Sequence, residues 1–523
     1  MNGLDYAVVI GYIAALIGLG YVLREQASRR DYFLGGRSMG WPPLVLSTMA
    51  TQLSAISFIS APAFVGIRDG GGMIWLSYEL AVPLAMILLM WGIMPRLYNA
   101  GFVSIYEFLE QRFDSYTRFT ISIVFQLSRA FATGVMVYAI AIVLENMMGM
   151  PFWLAVAIIG IVTALYSLQG GMKAVVYADA AQMLIIFIGI FLCAGFGLYH
   201  VGGLDGLLSN MDYDRLTAVN FSSLGLSGDE FGFLPMLFGG IVLYASYYGC
   251  DQTQAQRLMS AKSEGTMRQI LLANGLLRFP MVLLYCTLGL IIGTLAHVSP
   301  ELPADLFRDQ PDLLIPTFIL TFLPHGVIGL LVVAILSAVM SSLSSVINSL
   351  SAVTIEDVAM VRGARMSERQ YVFWSRFSAL AWSLLILGFS FFGGMIADTV
   401  IEAINKVGSL FYGPILATFV LAIRFPRVTA RGANWGLLSG VGFNMFLWLG
   451  VPQLFWFWWN FAGFLASILV AVIVSGRGAP VQIDAAASAT RPPWRETAIL
   501  AFAFIAILAI IANFPSLWYM VTG

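Results

Sequence analysis

The chain has 523 residues, of which 59% are hydrophobic and 11% charged, with a net charge of -1. A soluble globular protein carries roughly 25% charged residues, so too little polar surface is present to cover a soluble body of this size. The balanced charge gives no basic footprint for nucleic acid.

Aromatic residues at 14% and 51 glycines suit an all-α polytopic membrane protein, where Gly permits close helix approach and Trp and Tyr sit at interfaces. Crossing ~30 Å of hydrocarbon takes ~20 apolar residues. Fourteen such runs are expected, at 5–24, 42–66, 74–95, 118–146, 152–168, 176–199, 232–253, 269–297, 326–353, 373–394, 399–423, 433–451, 455–475 and 495–517. The first reads as a transmembrane helix and not a signal peptide, because Asp5 and no basic residue precedes it. The stretch near 313–323 reads as an external helix at the membrane surface. The connection 476–494, rich in Ala, Ser and Pro, reads as a linker, and no soluble domain is visible.

Charge alternates between loops. If both termini lie outside, the inside loops collect most of the Lys and Arg residues, from Arg24, Arg29, Arg30 and Arg37 through Lys173, Arg257, Lys262 and Arg268 to Arg477, Arg491 and Arg495. The outside loops hold Arg68, Arg215 and Arg308. This is the positive-inside pattern, and it supports fourteen spans. Cys193, Cys250 and Cys286 fit neither a zinc motif nor a disulfide framework, and no transition-metal site is expected. Gly70-Gly71-Gly72 lacks the Lys-Ser/Thr of a phosphate loop.

Polar groups inside a membrane are costly and need a reason. In the second span, Thr51, Gln52, Ser54, Ser57 and Ser60 interrupt the apolar run. They fit a helix broken at mid-membrane, whose freed carbonyls bind a cation or solute, or else tight packing by small hydroxyls. Glu79 and Arg129 lie within spans and either neutralise each other or bind a polar solute. Asp179, with Gln182 one turn on, could hold a cation or proton, or pair with Lys173. Tyr244, Ser246, Tyr247 and Tyr248 could close over a solute or form an interfacial belt. In the ninth run Ser337, Ser341, Ser344, Ser345 and Asn348 fall within about 100° of arc at 100° per residue, with Ser342 beside them. Neutral oxygens on one face suit an alkali cation that must bind and then leave, since hard cations prefer oxygen.

The segments GGMKAVVYADAAQ, SAVMSSLSSVINS, YEFLEQRF and DQTQAQRLMSAKS together resemble the sodium/solute symporter family, over about residues 5 to 450. The resemblance implies a LeuT-type core of two inverted five-helix repeats, with one leading and three trailing helices. The corresponding divisions are 1–35, 36–424 and 425–523. It implies a sodium site of carbonyls at Ala50, Leu53 and Ala338 with hydroxyls of Ser341 and Ser342. It also implies a second sodium at Asp179, Ser344 and Ser345, and solute-site positions at Ser54, Ser57, Glu79 and Tyr247. Gln52, Arg129 and Tyr244 join these as solute candidates from their polar character within spans; Arg129 falls about one turn before the arginine of the sialic acid members, and Tyr244 stands where the galactose members have asparagine.

The implied activity is sodium-coupled symport of a small polar organic solute by alternating access, in the plasma (inner) membrane. Sodium is the coupling ion, and solute and lipid bilayer are the partners. Proton coupling at Asp179, and an acid, sugar or amino acid as solute, stay open at this point, as does the oligomeric state. A passive channel would need a continuous polar pore, and an enzyme a catalytic cluster; the sequence offers neither.

Overall fold

A backbone surrounded by lipid must satisfy its own N–H and C=O groups, which a helix does within one segment. The computed structural model describes residues 1–523 apart from 24–28, 54, 229, 308–309, 361–365, 393–399, 477–491 and 523. Its principal helices are α1 (Gly3–Val22), α2 (Trp41–Gln52), α3 (Ala55–Gly66), α4 (Val82–Trp91), α5 (Ser115–Met148), α6 (Phe152–Val201), α7 (Phe233–Gly249) and α8 (Gln252–Met259). They continue with α9 (Glu264–Val298), α10 (Val327–Val353), α11 (Glu368–Ser390), α12 (Val400–Arg424), α13 (Ala430–Gly450), α14 (Trp458–Ser475) and α15 (Trp494–Ala512).

The helices start where side chains can cap freed N–H groups. Asn2 opens α1 in a reciprocal capping box with Asp5. Asp114 accepts from Thr117 N at 2.7 Å to open α5, and Ser263 accepts from Thr266 N at 3.1 Å to open α9.

The 50 residues of α6 would extend ~75 Å at 1.5 Å per residue, far beyond the hydrocarbon thickness. The helix turns instead at Gly171 (φ 53°, ψ -149°), so the two expected runs 152–168 and 176–199 become its two limbs. A Cβ at Gly171 would stand 2.6 Å from Tyr32 O. A second close approach joins α3 to α9, where a Cβ on Gly293 would lie 2.4 Å from the Cα of Gly66. Small residues permit such contact between membrane helices.

Among the described residues ten helices are long and apolar enough to cross a membrane, or twelve if each of two sharply bent pairs counts as one span. Of the remaining expected spans, Phe152–Leu168 is a shorter apolar helix, and α13 carries Arg431, Asn434 and Asn444 along its length. Fourteen is therefore not reached on length and apolarity alone. The stretch near 313–323 forms the short helix Leu314–Phe322, which packs against α3 and α5.

The two bent pairs define the architecture. Trp41–Gln52 and Ser57–Gly66 meet at 56°, and α7 and α8 meet at 57°. The second break corrects the expectation of one continuous helix over 232–253. It falls at Cys250 and Asp251, where the Asp251 side chain accepts from Thr253 N at 2.7 Å and starts a new helix. One broken helix in each half is the arrangement of two repeats in a LeuT-type core.

Helix α10 lies at the centre, packed by α6, α1, α5 and α11, and 89% of its apolar window is buried against 17% for α15. Its serines consequently face protein and not lipid.

Candidate functional site

Helix α2 ends at Gln52, leaving its last carbonyls without partners in their own helix. The serine face of α10 meets them. Ser341 Oγ donates to Ala50 O at 3.0 Å, and Ser342 Oγ donates to Thr51 O at 3.2 Å. Thr51 Oγ1 and Ser345 Oγ lie 3.2 Å apart. Ala50, Leu53 and Ala338 are buried beside these groups, with Ala338 one turn before Ser341 on α10. The structure thus joins the broken end of α2 to the serine face in one cluster of uncharged oxygens. Ser337 points elsewhere and donates to Tyr12 OH of α1 at 2.9 Å.

Asp179, on the second limb of α6, is fully buried. Its Oδ2 accepts from Ser47 Oγ at 2.6 Å and from Arg257 Nη2 at 2.8 Å, with Ser345 Oγ at 3.5 Å. Arg257 also bonds Ser47 at 2.8 Å, Thr253 O at 2.5 Å and Ser345 Oγ. The suggested partner Lys173 is replaced by Arg257. That residue, assigned to an inside loop from sequence, is a buried member of α8, because the break at Cys250 and Asp251 turns α8 back into the bundle. Asp179 Oδ1 and Gln182 Oε1 are buried without a hydrogen-bond partner. Ser344 Oγ donates to Ser341 O at 3.0 Å.

The suggested pairing of Glu79 with Arg129 is also corrected. Arg278 of α9 grips Glu79 with two hydrogen bonds, Nε to Oε2 at 2.5 Å and Nη2 to Oε1 at 3.0 Å. Tyr244 OH is 3.4 Å from Glu79 Oε1, and the guanidinium lies 5.0 Å from the Tyr244 ring centre. Arg129 of α5 instead pairs with Asp251 at the second break and lies 5.1 Å from the Tyr247 ring centre. Each cation has its own carboxylate, the usual condition for burying charge.

These pairs enclose a cavity of about 170 Å³, lined by Gln52, Ser57, Glu79, Arg129, Tyr244, Tyr247, Arg278 and Tyr412, with Thr51 and Ser342 of the oxygen cluster in its wall. An engineered cavity of ~150 Å³ takes benzene, so the space suits a solute of about that size. Tyr248 donates to Gln52 Oε1 at its edge. Ser54 lies outside the described residues. Arg278, Asp251 and Tyr412 had not been singled out from sequence. The available signal for Arg278 was one arginine deep inside the run 269–297, and for Asp251 one aspartate before a polar turn.

The model of the sodium:solute symporter family matches residues 32–440. The chain belongs to the sodium:solute symporter family. It is 30% identical over 456 residues to sodium-coupled monocarboxylate transporter 2 of Bos taurus, covering 85% of this chain and 72% of that one. It is also 30% identical over 465 residues to a putative sodium-dependent multivitamin transporter of Drosophila melanogaster, covering 86% and 75%. Among solved structures, the substrate-bound outward-open state of a sodium-coupled sialic acid symporter superposes with a TM-score of 0.82 at 22% identity, covering 92% of this chain and 99% of that one. The symporter is embedded in a membrane, couples a small organic solute to sodium, and is not an enzyme. Its fold is LeuT-type.

Proposed function

We propose that this symporter carries a small monocarboxylate. The observation that carries the reading is the placing of the charges: Arg278 and its partner Glu79 both line the cavity, whereas Arg129 lines it and its partner Asp251 reaches it from outside the wall. Glu79 spends both oxygens on Arg278, so it is poorly placed to accept from sugar hydroxyls, whereas Arg129 turns a guanidinium to the cavity without a carboxylate beside it in the wall, which suits an anion. The cavity volume and the monocarboxylate transporters among the relatives point the same way.

Sodium binds between Ala50, Leu53 and Ala338 carbonyls and the Ser341 and Ser342 hydroxyls. Ser341 Oγ already reaches Ala50 O and Ser342 Oγ reaches Thr51 O at the end of α2, and a cation takes over oxygens that the serines now satisfy. The ion thereby fastens α2 to α10 and shapes the cavity that Thr51 and Ser342 share. The linkage is reciprocal, so solute tightens sodium by the same factor. Gln52, Ser57, Tyr244 and Tyr247 complete the solute contacts. Asp179, Ser344 and Ser345 form a second cation position, for which Arg257 competes.

We place the arginine-rich helix ends in the cytoplasm, both termini outside and the protein in the plasma (inner) membrane. Residues 36–424 form the transport core, with 1–35 and 425–523 as additions. One sodium with one carboxylate moves no net charge. Two sodium ions move one charge, worth ~2.3 kcal/mol per 100 mV.

The test is uptake of lactate, galactose and proline into proteoliposomes under a sodium gradient, with potassium or choline replacing sodium as control. Lactate accumulation that needs sodium is the expected result. Accumulation of galactose or proline without lactate overturns the monocarboxylate reading.

A further inference from the structure

Arg129 stands in the wall between two cavities. One is the solute cavity; the other is a void of about 30 Å³ lined by Arg129, Asp251, Cys250 and Phe125. Arg129 and Tyr412 line both, while Asp251 reaches Arg129 from the side of the smaller void. The two charged pairs therefore stand differently: Glu79 and Arg278 both line the solute cavity, whereas Arg129 and Asp251 form the partition, here called its floor, between that cavity and the smaller void.

The two partners of this floor pair are held by separate means. The Arg129 guanidinium lies 5.1 Å from the Tyr247 ring centre and 5.7 Å from that of Tyr412, so cation–π attraction positions it whether or not Asp251 is present. Asp251 binds Arg129 through Oδ2 and caps α8 through Oδ1. Loss of Arg129 from Oδ2 leaves that cap intact. Helix α8 also carries Arg257, which is bonded to Ser47, Asp179 and Ser345 next to the sodium position. The floor pair thus ties α5 to the broken element that reports on the cation sites.

Resting on the reading of the solute as a small monocarboxylate, we propose that the solute carboxylate takes the place of Asp251 on Arg129, and that this exchange unlocks the wall between the two cavities. One carboxylate replaces another, so the guanidinium keeps a charged hydrogen-bond partner throughout; the displaced Asp251 keeps the Thr253 N–H on Oδ1 and bears the cost of losing its countercharge, which holds the pair closed until solute binds. An uncharged solute cannot make the exchange without leaving Arg129 buried and unpaired, which is costly. The pair therefore selects for an anion and also keeps sodium from passing alone, because without a carboxylate the floor stays shut.

The experiment uses the full chain in proteoliposomes with labelled lactate and labelled sodium. Asp251→Asn retains an oxygen for the Thr253 N–H but weakens the hold on Arg129. The KM for lactate should fall about tenfold, the equivalent of ~1.4 kcal/mol, and sodium should enter without lactate faster than in the wild type. Lactamide, the uncharged analogue, should not be carried by the wild type. An Asp251→Asn protein that takes up lactate with unchanged KM and admits no sodium alone overturns the lock and leaves the monocarboxylate reading standing. Wild-type uptake of galactose or proline but not lactate overturns both.

If Asp251→Asn does not fold, the wild type carries the test. Cys250 is buried and lines the smaller void, so lactate with sodium should raise its alkylation by N-ethylmaleimide severalfold over sodium alone, with buried Cys193 as the internal reference. Equal labelling of Cys250 with and without lactate, in protein that transports lactate, overturns the lock.

Discussion

The oxygen cluster where α2 meets α10 and the charged cavity beside it are neighbours built on opposite principles. The first is built from carbonyls and hydroxyls of Ala50, Thr51, Ser341 and Ser342, and ionised groups reach it only at its edge, through Ser345. The second holds guanidinium and carboxylate groups in fixed pairs. A cation that must bind and be released each cycle is served by neutral oxygens, each of which can return to a hydrogen bond within the protein when the ion leaves. Buried full charges have no such option, because removal of one partner strands the other. The difference teaches that the cation site can empty without cost to the fold, whereas the solute site needs an exchange of partners.

Breaking the charged side should have the largest effect. Arg278→Ala strands Glu79 and should destabilise the protein by ~3–5 kcal/mol, read as a fall in melting temperature in detergent. The double variant Glu79→Gln with Arg278→Gln should recover much of that loss, since no lone charge remains. Next, Asp179→Asn removes the countercharge of Arg257 and the anionic ligand of the second cation position. The number of sodium ions per solute, measured from reversal potentials, should drop by one; an unchanged ratio together with lost pH dependence of uptake would favour a proton at this residue.

The neutral side should respond more gently. Ser342→Ala deletes one hydroxyl, and a hydrogen bond to a charged group is worth ~1.5–3 kcal/mol. Half-saturation by sodium should therefore rise about tenfold or more while the melting temperature without sodium stays near wild type. Unchanged sodium dependence would remove Ser342 from the site. Smallest of all, Ser57→Ala trims one polar group from the cavity edge and should alter the KM for solute by a few-fold at most, ~1 kcal/mol or less, leaving sodium affinity alone. If Ser57→Ala were to weaken sodium as strongly as Ser342→Ala, the division between the two regions would collapse.

Much of the membrane architecture was legible in local pattern. Apolar run length marked most of the spans, and a 100° periodicity placed Ser337, Ser341, Ser344, Ser345 and Asn348 on one face of α10; of these Ser341 and Ser345 meet α2, whereas Ser337 meets Tyr12, Ser344 bonds within its own helix and Asn348 meets Gln256. The hydroxyl-rich end of α2 marked the first break. The second break was missed because Cys250 and Asp251 interrupt the run 232–253 with a single charged residue, too little to stand out in a hydropathy window. Asp179 was found as a lone acid in an apolar stretch, yet its partner Arg257 was placed in a loop, since a short polar helix folded back into the bundle has the composition of a connection.

Sequence by itself determined that the chain lives in a membrane, where most of its spans run and that Glu79, Arg129, Asp179 and the serines of α10 are costly polar groups there, because lipid penalises each such group wherever it stands along the chain. Tertiary structure alone decided who pairs with whom. Glu79 meets Arg278 across 199 positions and Arg129 meets Asp251 across 122, and no local period encodes such distances. The pairing follows from how two broken helices fold against α5, α9 and α10, and burial then requires each charge to find the nearest opposite one.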